Sequence, residues 1–421
     1  MRPFQDPLAI LARTRVVDRF LSYVRIDTQS DETSRSCPST AKQLDLGELL
    51  VSELRELGLR GVGEDSVTMD ENGYVLAELP GTTEGLIGLC AHIDTAPAFN
   101  GTGVEPRVHE GYQGGAIVVG HGVVIDPADT PELLDCLGDT IITTDGTTLL
   151  GADDKSGIAA IMGALEVLMQ EPDVPRPTIR VCFNPDEEIG RGADRFPLER
   201  FGCPVAFTID GGFTGEVSVE TFSADKAVVT LRGVSVHPGT AKGKMVNALT
   251  YMGKLLARLP MAESPECTDL RDGFYHPVDV SGDAASCRLQ IIIRDFDTAV
   301  VRERGHRLEE MCASLMAEEP RLDVKVEIVE QYRNMFDVLS AHPETTRWLE
   351  RAVEAAGIVP NLQPVRGGTD GSRLTAMGMP TPNIFAGGVN MHGPAEWIST
   401  RVLGQVVCTI LNLVQICGEE S

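Results

Sequence analysis

The sequence predicts an α/β protein in two parts: a mostly parallel sheet with helices on both faces, and an inserted α+β domain with a four-stranded antiparallel sheet and two helices. Three observations predict it. Short apolar runs alternate with helix-period segments over residues 1–221. Between 222 and 335 the order changes to strand-helix-strand-strand-helix-strand. From 336 to 421 the first pattern resumes, so the middle domain reads as an insertion. A chain of 421 residues is also too long for one ordinary core.

Taken in order, residues 8–25 read as a helix. Ser39-Thr40 followed by Gln43 reads as a capping box opening an amphipathic run with Leu46, Leu49, Leu50, Leu54 and Leu57, which Gly58 stops. Residues 85–91 are continuously apolar and too few for a buried helix, so they suit a strand covered on both faces. Residues 155–170 carry an apolar stripe of Ile158, Ile161, Met162, Leu165, Leu168 and Met169. Strand-like runs follow at 178–183 and 205–209. In the inserted part, strands are expected at 226–233, 274–281, 286–294 and 323–330, with helices at 241–257 and 299–317. Helices near 343–356 and 401–416 complete the chain.

Net charge is −26, and so acidic a surface repels phosphate backbones and anionic lipid, which argues against nucleic acid or membrane as the main partner. No continuous apolar run of spanning length stands out, and the start, Met1-Arg2-Pro3-Phe4, lacks the form of a signal peptide. Ten scattered cysteines without a C-x-x-C pair read as buried thiols of a reducing compartment. Cytoplasm is the expected location.

Polar residues fall where hydrolytic metal sites are built, at the carboxyl ends of buried strands. His92 follows the 85–91 run, Glu187 and Glu188 follow 178–183, and Asp210 ends 205–209. Asp153 precedes a helix, and His392 lies near the chain's end. Taken singly, each is as well explained by a turn, a helix-dipole carboxylate or a hydrogen-bonded loop histidine. Their shared position favours a metal site. The glycines of Arg366–Gly371 suggest a phosphate loop, but the Gly-Lys-Ser/Thr ending is missing, so nucleotide binding is rejected.

Longer motifs go further. His92-Ile93-Asp94-Thr95-Ala96-Pro97, Thr143 through Lys155 (TTDGTTLLGADDK) and Pro185-Asp186-Glu187-Glu188-Ile189-Gly190 are joined by Val236-His237-Pro238-Gly239-Thr240-Ala241-Lys242-Gly243, Ile292-Ile293-Arg294-Asp295-Phe296-Asp297 and Arg366-Gly367-Gly368-Thr369-Asp370-Gly371. In one register from about residue 15 onward, they resemble the di-zinc metallopeptidase family that includes glutamate carboxypeptidases and aminoacylases, and within it the tripeptide aminopeptidases of the peptidase T group.

The resemblance implies two zinc ions per chain, with manganese or cobalt compatible with the same donors. Asp153 would lie between them, His92 and Asp210 would complete one shell, and Glu188 and His392 the other. Glu187 would be the general base and Asp94 the partner that orients His92. Arg294 would clamp the peptide's C-terminal carboxylate, His237 would stabilise the oxyanion, and Arg366 would lie beside the substrate. The inserted domain would act as a lid, and pairing of two copies through it is known among relatives, so a homodimer is open. The implied substrates are short peptides with a free N-terminus. A related dipeptidase, carboxypeptidase or N-acyl amino acid hydrolase is the alternative, and a non-catalytic peptide-binding protein the remoter one. Met391 stands where the group's pattern has tyrosine, residues 393–396 also differ, and so does the stretch near Tyr332-Arg333-Asn334-Met335.

Overall fold

In the computed structural model, which describes residues 3–420, the chain divides into two compact units. Among the described residues, the first comprises 3–219, 338–363 and 369–420, and the second 220–337 and 364–368.

The first unit is built on an eight-stranded sheet ordered Thr68–Met69, Val75–Leu79, Thr178–Asn184, Leu86–His92, Ala206–Gly211, Asn383–Phe385, Glu216–Ser218 and Asn361–Leu362. Its centre is parallel: Leu86–His92 pairs with Thr178–Asn184 on one side and Ala206–Gly211 on the other, and the latter pairs with Asn383–Phe385. Antiparallel pairs lie to either side of that centre. The central strands are largely buried, which is why Leu86–His92 reads as a continuous apolar run and the other two as mainly apolar ones. Parallel pairing brings their carboxyl ends together, with His92 opposite Asn184 and Cys90 opposite Thr208.

Helix Ala152–Gln170 packs on Leu86–His92 and Ala206–Gly211. A Cβ at Gly157 would lie 2.0 Å from the Ile209 carbonyl oxygen, so only glycine lets helix and strand approach this closely. The expected stripe is buried except for Met169, which is 40% exposed at the helix's last turn. Helix Thr400–Glu420 packs against Ala152–Gln170, Pro343–Ala355 and Pro7–Arg13. By length and composition it could cross a membrane, contrary to the expectation that no such run exists. Interspersed Arg401, Gln405, Asn412 and Gln415 hid it in the sequence, and most of its surface is buried in this unit.

Two local expectations are corrected. Residues 8–25 form two helices, Pro7–Arg13 and Val16–Tyr23. Thr14 is extended and its hydroxyl donates to the Ile10 carbonyl, ending the first helix. Helix Gln43–Glu56 has no side-chain cap. Ser39 instead donates its hydroxyl to Asp186 Oδ1 (2.5 Å), and Gln43 Nε2 donates to the same oxygen (2.8 Å). The supposed capping box thus fastens the turn that carries Glu187 and Glu188.

A four-stranded antiparallel sheet also belongs to this unit, ordered Gly388–Val389, Trp397–Ser399, Ile141–Thr143 and Arg107–His109, beside a hairpin of Ile117–Gly120 and Val123–Ile125. Nothing in the periodicity of residues 96–142 had suggested it. All ten cysteines are free and eight are buried.

The second unit is an antiparallel sheet ordered Phe274–Gly282, Ser286–Asp295, Ser223–Arg232 and Asp323–Tyr332, packed by helices Ala248–Arg258 and Thr298–Glu318. The helix expected from 241 starts at Ala248, because Asn247 caps it and Pro238–Thr240 is only a tight turn. Leu231, Leu255, Ile291, Ile293 and Leu308 are among its fully buried side chains. Each such side chain contributes roughly 1.5–3 kcal/mol by burial.

Candidate metal centre

The parallel register places His92, Asp210 and the 186–188 turn beside one another at the carboxyl end of the sheet. His92 Nε2 lies 3.0 Å from Asp153 Oδ1 and 3.5 Å from Asp210 Oδ1. His392 Nε2 lies 3.1 Å from Asp153 Oδ2 and 3.0 Å from Glu188 Oε2. Two donor triads result, His92–Asp153–Asp210 and Asp153–Glu188–His392, sharing the two oxygens of Asp153.

Their electrostatics are those of a site short of positive charge. Among the described residues, no lysine or arginine pairs with Asp94, Asp153, Asp154, Glu187, Glu188, Asp210 or Asp370; buried Lys155 donates to the Ile26 carbonyl instead. Burial would lower the His92 pKa, but Asp210, Asp153 and Asp94 outweigh it and hold the ring well above its ordinary value. Hydrogen bonds to Asp153 and Glu188 raise His392 to about 10. Burial, then Asp153, pushes Glu188 up to about 7, and burial pushes Asp210 up to about 6. Asp153 is held low despite its burial by hydrogen bonds from His392 and His92. Glu188 Oε1 is buried with no hydrogen-bond partner. An orphaned carboxylate oxygen beside two imidazoles and two further carboxylates fits a pair of divalent cations.

Glu187 differs from its neighbour. Its carboxylate makes no hydrogen bond or ion pair to another described residue, and burial followed by Asp210 and Asp370 raises its pKa well above the usual range. Asp94 does more than expected. Its backbone carbonyl lies 3.0 Å from His92 Nδ1 and its Oδ1 3.4 Å away, while its two carboxylate oxygens accept the backbone N–H of Glu187 (2.9 Å) and Glu188 (3.2 Å). One aspartate thereby fixes a ring and the turn beside it.

Several supporting residues were missed by sequence reasoning. Asp154 accepts the backbone N–H of His92 (3.2 Å) and of Gly157 (3.1 Å). Asp370 accepts from Asn184 Nδ2 at 2.5 Å. Glu396 accepts four backbone N–H groups, and burial pushes it up to about 7. The doubled Asp153-Asp154 was the only signal available for the first; isolated Glu396 offered none.

The three remaining residues lie in the second unit. Arg294 forms no ion pair with a described residue: Asp295 pairs with Arg304, and Asp297 caps Thr298–Glu318. The Arg294 guanidinium donates to the Asp225 and Ile293 carbonyls and lies 5.3 Å over the Tyr332 ring. His237 is exposed, and its Nδ1 accepts the Gly239 N–H (3.1 Å), which leaves the neutral ring's proton on Nε2. Arg366 donates to the carbonyls of Leu270 (2.8 Å) and Asp272 (2.9 Å) and to Thr268 Oγ1 (3.1 Å), so its fork is engaged by the 268–272 loop.

Comparison with known proteins agrees with this geometry. Residues 145–415 match the model of peptidase family M20/M25/M40. Peptidase T of Geobacillus thermodenitrificans is 44% identical over 414 residues, covering 97% of this chain and 100% of that protein. Peptidase T of Bacillus subtilis is 44% identical over 408 residues, covering 96% and 98%. In fold, the chain is similar to aminopeptidase PepT from Bacillus cereus (TM-score 0.75, 22% identity, 96% of this chain and 98% of that one). It is also similar to a dinuclear metal binding peptidase, the Bacillus subtilis YXEP protein (TM-score 0.65, 14% identity, 98% and 99%). With its family model spanning most of the chain and full-length relatives at 44% identity, the chain belongs to the M20/M25/M40 peptidase family.

Proposed function

We propose that this protein is a zinc-dependent aminopeptidase of the cytoplasm that removes the first residue from short peptides, tripeptides above all. The observation that carries the reading is the pair of donor triads sharing Asp153, with the unpaired carboxylate of Glu187 beside them. His92 and Asp210 would hold one cation, Glu188 and His392 the other, and Asp153 both. Bound there, two divalent cations lower the pKa of a water and stabilise the negative charge that develops on the scissile carbonyl oxygen.

The chain's own residues do the rest. Glu187 takes the proton of the attacking water and returns it to the leaving amine, a task that suits a carboxylate whose pKa burial holds well above its ordinary range. Asp94 keeps His92 in one ring orientation and Glu187 and Glu188 in one turn conformation. His237, with its proton on Nε2, donates to the developing oxyanion. Arg294, without an ion pair among the described residues, takes the peptide's C-terminal carboxylate on its fork. Arg366 shapes the substrate side through the loop it holds. The peptidase T name of the full-length relatives supports the substrate class.

Hydrolysis of Ala-Ala-Ala, Ala-Ala and N-acetyl-Ala-Ala-Ala, each with and without a chelator, tests the proposal. Chelator-sensitive release of N-terminal alanine from the free tripeptide alone is the expected result. Cleavage of the acetylated peptide or the dipeptide would move the protein to a relative's specificity, and no hydrolysis by metal-loaded protein would sink the substrate class. Arg294→Ala is expected to raise KM for the tripeptide with kcat changed less. A charge-assisted pair contributes about 1.5–3 kcal/mol, or roughly ten- to a hundredfold in kcat/KM. An unchanged KM would remove Arg294 from the substrate.

A further inference from the structure

We propose that Glu396 is a positioning residue of the metal centre, which holds Asp153 and the loop of His392 at one fixed spacing. The inference rests on the di-metal reading above and goes beyond it, because Glu396 belongs to neither donor triad.

Glu396 is 1% exposed and stands four residues after His392, in the connection between strands Gly388–Val389 and Trp397–Ser399. Its Oε2 accepts the N–H of Leu150 (2.6 Å) and Gly151 (2.8 Å), and its Oε1 the N–H of Ala152 (2.7 Å) and Asp153 (3.2 Å). Four consecutive backbone donors therefore converge on one carboxylate, and the last belongs to the residue shared by both triads. Gly151 makes the convergence possible, because its φ of +80° turns successive N–H groups toward one point.

An ordinary cap does not explain this arrangement. Asp6, Asn247 and Asp297 cap donors two or three residues away, each with one oxygen taking one or two N–H groups. Glu396 reaches its donors from 243 to 246 residues further along the chain. Helical geometry cannot hold Asp153 in its place: Asp153 (φ −82°, ψ 106°) and Asp154 (φ −120°, ψ 34°) both depart from it. His392 is held no better by its own backbone, since its φ of +63° lies in the left-handed region that non-glycine residues avoid. One buried carboxylate fixes the backbone on both sides of the contact between Asp153 and His392.

Glu396→Gln tests this, since it keeps the shape and replaces one oxygen by an amide that faces N–H donors. In zinc titrations of chelator-stripped protein, the variant is expected to bind 10- to 100-fold more weakly than the unsubstituted chain, while its far-UV circular dichroism is unchanged. Turnover of Ala-Ala-Ala is expected to fall at least about tenfold with KM altered less than about twofold. Asn247→Ala, which removes an ordinary cap in the second unit, is expected to leave zinc affinity untouched. If Glu396→Gln does not fold, Glu396→Asp, which retains the charge but withdraws it by one methylene, undergoes the same titration. Unsubstituted zinc affinity and kcat in the folded variant would overturn the inference and leave the di-metal reading standing. Failure of the unsubstituted chain to bind zinc would overturn that reading, and this inference with it.

Discussion

Glu187→Gln is expected to lower kcat for a tripeptide by about 10²- to 10⁴-fold, with full metal content and an unchanged fold. The prediction turns on how two adjacent glutamates differ. Glu188 is 3.0 Å from His392 Nε2 and has its second oxygen buried without a partner, as befits a metal donor. The Glu187 carboxylate has no partner among the described residues, and its raised pKa comes first from burial and then from Asp210 and Asp370. A carboxylate engaged by a metal has lost the basicity that a proton transfer needs, so the free neighbour must supply it. Glutamine keeps the size and the backbone hydrogen bond from Glu187 N–H to Asp94 but cannot take a proton. Kinetics and elemental analysis on the same sample decide the matter. Retained turnover would remove Glu187 as the base, and lost metal would show it to be a ligand.

Much of this architecture could be read in the sequence because burial dictates composition. Strands Leu86–His92, Thr178–Asn184 and Ala206–Gly211 are largely covered on both faces, so each is mainly apolar, and the polar residues at their ends stand out. His92, Glu187, Glu188 and Asp210 were legible for that reason. The second unit was legible too, since its strand-helix order survives in the alternation of half-buried strands such as Ser223–Arg232. Support from backbone atoms was not legible. Glu396 acts on N–H groups that every residue possesses, so its partners leave no trace in residue identity. Gln43 misled for the converse reason: its spacing from Thr40 fits a capping box, yet Asp186, distant in sequence, offers a better acceptor. The short strands of residues 107–143 escaped because three or four residues are too few to display a period.

Asp153→Asn is expected to be the most damaging single change at the centre, lowering kcat/KM by about 10³ or more, which corresponds to about 4 kcal/mol of charge stabilisation. Both triads depend on this one carboxylate, with Oδ1 facing His92 and Oδ2 facing His392. An amide offers one weaker oxygen where two charged ones stood, so neither triad stays complete. The more telling readout is stability. A ligand that binds only the folded chain stabilises it by about 2.7 kcal/mol at a hundredfold excess over its Kd, so zinc should raise the melting temperature of the chelator-stripped unsubstituted protein. Asp153→Asn should erase most of that increment. Glu187→Gln should preserve it, because its side chain is placed outside both triads. The two variants therefore separate along different axes: one loses turnover and keeps the metal-induced stabilisation, the other loses both. A zinc-induced shift in Asp153→Asn equal to that of the unsubstituted chain would mean that the cations are held elsewhere, and the shared-carboxylate centre would have to be abandoned.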